Sequence, residues 1–144
     1  MDTVDARELS PAECASRLRS ASWGRVALSM QTIAMVIPVP VRVVEDRVVF
    51  ATVRGSTFDR AVQGQPISVQ AEGREPGPDG VELLWSVVVS GICLPDPSDG
   101  AGADGGPPGA DRWNAVPFSL VQGWRAPVPP ARPPGGRVAD TVAG

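Results

Sequence analysis

The chain has 144 residues, with 13 basic and 16 acidic side chains and a formal net charge of −3. It carries 16 glycines, 16 prolines and 4 tryptophans, no histidine and no tyrosine, and every basic residue is an arginine. Without imidazole or lysine there is no Ser-His-Asp triad, no histidine base or metal site, no Schiff base and no Walker-type phosphate loop, so demanding chemistry would fall to a bound cofactor.

The length suits one domain. Arginines are scattered among acids rather than gathered in a stripe, which argues against a nucleic-acid partner. No apolar run approaches the roughly 18 residues of a membrane helix, and Met1–Asp5 is acidic with no apolar signal region, so the expectation is a cytoplasmic protein with no membrane partner. Two cysteines cannot make a four-cysteine zinc site, and no metal site is expected. Cys14 and Cys93, in a predicted helix and a predicted strand, read as small apolar thiols of a reduced protein.

Ser10-Pro11-Ala12-Glu13 is a helix start. Ser10 caps, Pro11 pre-sets the first helical φ, Glu13 completes a capping box and Leu9 supplies the staple. The helix is placed at 11–20. Gly24–Ser29 alternates as a half-buried strand. The apolar run 34–44 contains Pro38 and Pro40, which suits a sheet edge or an irregular strand. With Glu45-Asp46 as the turn, it reads as a hairpin with 47–53.

Ser56 caps a second short helix at 57–63, ended by Gly64, with Asp59 and Arg60 on a solvated face. A strand follows at 66–71, then a loop over Gly73–Gly80. Val81–Leu94 gives the longest strand signal. Its continuous apolar centre, Leu84–Val89, implies burial on both faces or a subunit contact. Residues 95–111 read as a mobile insertion, Trp113–Trp124 as ordered chain, and 127–144 as a disordered Pro/Gly-rich tail. Residues 1–8 are expected to be flexible, and 9–126 to form the domain. Trp23 is expected to pack where the helix meets the first strand.

Four strings carry a resemblance: the capped helix leading into Gly24-Arg25-Val26-Ala27-Leu28; Val49-Phe50-Ala51-Thr52 followed by Gly55-Ser56; Trp85-Ser86-Val87-Val88-Val89-Ser90-Gly91; and Val116-Pro117 followed by Val121-Gln122-Gly123-Trp124-Arg125. In this order the chain resembles the pyridoxamine 5'-phosphate oxidase-like family of FMN-binding split β-barrels, in its short actinobacterial form. The resemblance implies a mainly β, six-stranded Greek-key split barrel with two short helices. It also implies a homodimer with FMN, or in some branches deazaflavin or haem, in grooves between subunits, and oxidoreductase chemistry on a small organic molecule.

A flavin phosphate needs hydroxyl, N–H and cationic donors. Thr52, Gly55, Ser56 and Thr57 sit where the cradle would lie. The family's arginine and lysine are replaced here by Ala51 and Thr57, leaving Arg54 and Arg60 as substitute cations. Its Pro-Val-Asn-Tyr is replaced by Pro38-Val39-Pro40-Val41. Trp85, Ser86, Trp124 and Arg125 are the residues the resemblance brings toward the ring. Each has a plainer reading beside it: Ser56 as a helix cap, Arg54 as a solvated turn residue, Trp85 as core or interface, Trp124 as packing at the barrel end. Two alternatives to the enzyme stay open. One is a non-catalytic ligand-binding dimer. The other is a cofactor-free relative with a repurposed pocket.

Overall fold

The computed structural model describes residues 6–99, 108–129 and 135. The expectations for residues 1–5, for most of the insertion (100–107) and for 130–134 and 136–144 of the tail lie outside the described residues.

Helix α1, Pro11–Ser20, begins with the expected box: Ser10 Oγ accepts from the Glu13 N–H at 3.2 Å, and Glu13 Oε1 accepts from the Ser10 N–H at 3.1 Å. Cys14 and Leu18 face the core, whereas Ala12 is exposed. A short strand, β1 (Arg7–Glu8), precedes the helix, so the ordered chain starts inside the segment expected to be flexible.

Strands β2 (Trp23–Met30) and β3 (Ile33–Pro40) form a tight antiparallel hairpin. Gln31 and Thr32 at its tip have φ of 51° and 69°, as a two-residue turn of this hand requires, although neither is a residue that favours it. The expected pairing of 34–44 with 47–53 is therefore corrected. The run divides at Val41, and only β4 (Arg42–Val44) pairs with β5 (Arg47–Thr52). Pro38 and Pro40 lack amide donors, so β3 can serve only as an edge strand, and it does so beside β2.

Helix α2 spans Thr57–Val62. Strand β6 runs Pro66–Pro76, so the loop expected from Gly73 starts instead at Gly77. A single 3-10 turn over Pro78–Gly80 leads to β7 (Glu82–Ile92). Gly73 lies in the strand because the Trp85 indole occupies its Cβ position: an added Cβ would meet the ring at 2.7 Å. Strands β8 (Leu94–Pro95), β9 (Arg112–Pro117) and β10 (Leu120–Pro127) complete the chain. Residues 95–99, expected within a mobile insertion, are tied down in part: β8 pairs with β9, and the buried Asp96 accepts from Arg47 Nε at 2.5 Å.

Two antiparallel sheets result, ordered β1-β10-β7-β6-β2-β3 and β4-β5-β9-β8. Val26, Val69, Val87 and Val89 of the first meet Val48, Phe50 and Val116 of the second in one core, closed at one end by Leu9, Cys14 and Leu18. The architecture is a mainly β split barrel with two short helices. Helix α1 approaches closely because β10 carries Gly123, where a Cβ would stand 2.6 Å from Cys14 Sγ and 3.1 Å from Val87. Gly123→Ala is expected to destabilise the fold by about 1–3 kcal/mol through overpacking, read as a lower urea midpoint.

Candidate functional site

Two regions gather the residues expected to form a site. The first is the turn into α2. Gly55 takes φ 76°, and Ser56 Oγ caps the helix by accepting from the Asp59 N–H at 3.1 Å. Asp59, expected on a solvated face, is instead only 2% exposed. Its Oδ1 accepts from Thr52 Oγ1 at 2.8 Å and Gln63 Nε2 at 3.1 Å, and its Oδ2 accepts from the Gly55 N–H at 3.0 Å. Arg112 Nε, from β9, makes an ion pair with Oδ1 at 3.2 Å. Asn114 continues the network, donating to Thr52 Oγ1 and the Phe50 carbonyl and accepting from Gln63. Burial pushes the Asp59 carboxyl up. The Gly55 amide, the Thr52 hydroxyl, the Arg112 charge and Gln63 together outweigh it and hold the group below the ordinary carboxylate range.

These contacts test the phosphate cradle. A phosphomonoester brings about two negative charges. Here the Thr52 hydroxyl and the Gly55 N–H, the donors it would use, already face a carboxylate. Ala51 is buried opposite Trp113 in β9 and brings no charge to the turn. Thr52, Gly55 and Ser56 therefore do not fit a terminal phosphate. Arg54 and Arg60 are exposed, and among the described residues neither guanidinium has a hydrogen bond or ion pair. The Arg54 backbone N–H donates to Asp111 at 2.7 Å. Thr57 and Arg60 line a depression of about 350 Å³ with Ser29, Gln31 and Gln65.

The second region is the outward face of the six-stranded sheet. The register sets one transverse row, Val36–Ala27–Ser68–Ser90–Leu120, across five strands. Val36 is 60% and Leu120 55% exposed, while the residues between them are small. The hydroxyls of Ser68 and Ser90 are 2.7 Å apart. A groove of about 510 Å³ lies here, lined by Ala27, Ser29, Ala34, Ser68, Ser90 and Leu120 among others, and it shares Ser29 with the depression beside α2. Next to it runs a polar chain: Arg25 donates to Gln70 and Glu72, and Gln70 Nε2 donates to Ser86 Oγ at 3.0 Å.

Ser86 and Trp124 are register partners on this open face. Trp85 and Arg125, one residue away along each strand, point to the opposite side. Trp85 packs in the core against Gly73, and Arg125 Nη1 lies 3.8 Å from Glu75, which Arg17 grips through two nitrogens. The expected group of four is thus divided between the two faces. Trp23, expected to pack, is 62% exposed and borders the open face beside Arg25, Pro38 and Glu72. Gln63, Arg112 and Asn114 join a network that the sequence pattern does not mark, and Asp59 is buried in it rather than solvated. The four-residue spacing from Asp59 in α2 to Gln63 at its C-cap is the only local signal for them.

Both cysteines are free and buried. Burial pushes the Cys14 thiol up, and burial with the nearby Asp59 charge pushes Cys93 up to about 12. Among the described residues no cluster of ligating side chains could hold a metal ion, and no helix is long and apolar enough to cross a membrane.

A split barrel with an open, groove-bearing sheet face defines a class of ligand-binding folds. The family model described as pyridoxamine 5'-phosphate oxidase matches residues 10–94, and the chain belongs to that family. No curated protein sequence matches it significantly. Among solved structures, the FAD binding protein from Mycobacterium smegmatis aligns at 21% identity and TM-score 0.66, over 84% of this chain and 98% of that one. A FAD-binding protein from Mesorhizobium loti aligns at 20% identity and TM-score 0.61, again over 84% and 98%. The FAD and heme binding protein from M. smegmatis aligns at 13% identity and TM-score 0.63, over 91% and 90%. These likenesses establish the shared fold.

Two outcomes follow from the site's electrostatics. In the native protein neither thiol should react with a disulfide reagent at neutral pH, whereas both should react in denaturant. The Asp59 carboxyl is depressed on folding, so its stabilising contribution is complete above the unfolded pKa of about 3.9 and is lost as pH falls through the folded value. Asp59→Asn should lower stability by about 3 kcal/mol at pH 7 and flatten the loss that sets in below about pH 4, as read by urea denaturation at each pH.

Proposed function

We propose that two copies of the chain associate through the open sheet face and hold a flavin in the groove between them, forming an oxidoreductase for a small organic substrate in the cytoplasm. The observation that carries this reading is the transverse row of small and apolar side chains, half-buried at Ala27, Ser68 and Ser90 and exposed at its ends, Val36 and Leu120. A flat apolar strip of this kind on a single chain marks a covered surface, and a twofold partner presents the same strip in return. Ala27, Ser68 and Ser90 leave a floor low enough for a planar ring to lie against the strands. The two serine hydroxyls offer polar contacts at its edge. Thr57 and Arg60 lie where a charged tail would emerge.

The three similar structures are named for FAD, and this supports a flavin over a deazaflavin. A bound flavin supplies hydride or electron transfer at its ring. The chain's own residues bind, orient and exclude water. No side chain lining the groove titrates near neutrality, so substrate protons come from water or from the substrate itself. Two buried, free thiols suit a reducing compartment.

One observation favours a second reading, a cofactor-free barrel dimer: the α2 turn is closed by Asp59, and Ala51 replaces the family's cation. Sedimentation velocity combined with fluorescence titration of FMN, FAD and a deazaflavin separates the two. The first reading expects a dimer that binds a flavin on the order of micromolar or tighter. It also expects Leu120→Arg to yield a monomer with binding weakened by at least about tenfold. A dimer that leaves all three ligands free supports the second reading, and a monomer that binds none overturns both.

A further inference from the structure

The donors a phosphate would use at the α2 turn come from four parts of the chain. They are the Thr52 hydroxyl at the end of β5, the Gly55 N–H in the turn, Gln63 Nε2 just past α2 and Arg112 of β9. All four lie 2.8–3.2 Å from the oxygens of one carboxylate, that of Asp59. This is an anion site in its chemistry, and its anion is part of the chain. Asp59 is held by packing as well as by charge, since it is 2% exposed and belongs to the helix it anchors.

Resting on the flavin reading above, we propose that Asp59 is a specificity-determining residue: its carboxylate fills the position of a terminal phosphate, so the groove selects FAD over FMN. A phosphomonoester concentrates about two charges on one group. At this turn it would meet a like charge with the Thr52, Gly55 and Gln63 donors already engaged, and a like charge nearby disfavours a second ionised group. FAD carries its two phosphates as one pyrophosphate bridge, esterified at both ends, with one charge on each phosphorus. That linkage needs no closed cradle. It passes from the groove at Ser29 to the exposed Thr57 and Arg60, whose guanidinium is unpaired among the described residues.

The test uses the full chain. Riboflavin, FMN and FAD are titrated separately by flavin fluorescence, giving the contribution of the phosphate as the FMN-to-riboflavin ratio. The expected result is FAD tighter than FMN by about tenfold or more, with FMN within about threefold of riboflavin. In Asp59→Asn, FMN should gain on riboflavin by at least about tenfold.

A second measurement needs no flavin. Thermal melts are run with inorganic phosphate and with formate on wild type and on Asp59→Gly. The anions should raise Tm in the variant, whose donors are orphaned, and leave wild type unmoved. FMN binding more than about tenfold tighter than riboflavin in wild type overturns the proposal. So does an equal anion-induced shift in both proteins. If no flavin binds, the flavin reading and the FAD preference fall together, and the melts alone decide whether Asp59 is the built-in anion. If Asp59→Gly does not fold, the wild-type titration and Asp59→Asn decide.

Discussion

A carboxylate removed from water must be matched by fixed donors, and that requirement on Asp59 organises one end of the molecule. Meeting it draws together β5 through Thr52, the turn through Gly55, the residue after α2 through Gln63, and β9 through Arg112. A helix of six residues has little stability of its own. Its position comes from this side chain on one face and from Val62 in the core. With α2 so fixed, Thr57 and Arg60 are left pointing into the depression that meets the sheet groove at Ser29.

The other half of the site follows from the pleat of β6 and β7. Ile67, Val69, Ala71, Trp85, Val87 and Val89 turn inward, and the residues between them form the open face. That face is graded: a small and apolar row beside a hydrogen-bonded chain of Arg25, Gln70, Glu72 and Ser86. The polar chain is hydrogen-bonded within itself.

The chain keeps its family's barrel while departing at Ala51 and Thr57 from the pattern it resembles, because the barrel rests on other residues. The barrel depends on valines shared by both sheets and on the close approach of α1 over Gly123. Ala51 and Thr57 can differ from the family without disturbing either. Fold and site are thus separable in this molecule.

Much of the fold was legible because it rests on short-range chemistry. The Ser10 box, the Ser56 cap, the alternation of β2 and β6 and the apolar run of β7 are each visible within a few residues. The prolines at 38 and 40 announced an edge strand but not which neighbour it would take, and the hairpin partner was misread. The resemblance brings Trp85 and Ser86 toward one site, yet adjacency in a strand places side chains on opposite faces. Asp59 looked like a surface acid because nothing near it in sequence is basic except Arg60. Its real partner, Arg112, is brought in only by the pairing of β5 with β9. Local pattern alone determined the elements, their caps and which face of each strand is apolar. Tertiary structure decided whether a given polar group faces water or another chain segment, because burial and charge pairing depend on residues that meet only when the sheets close.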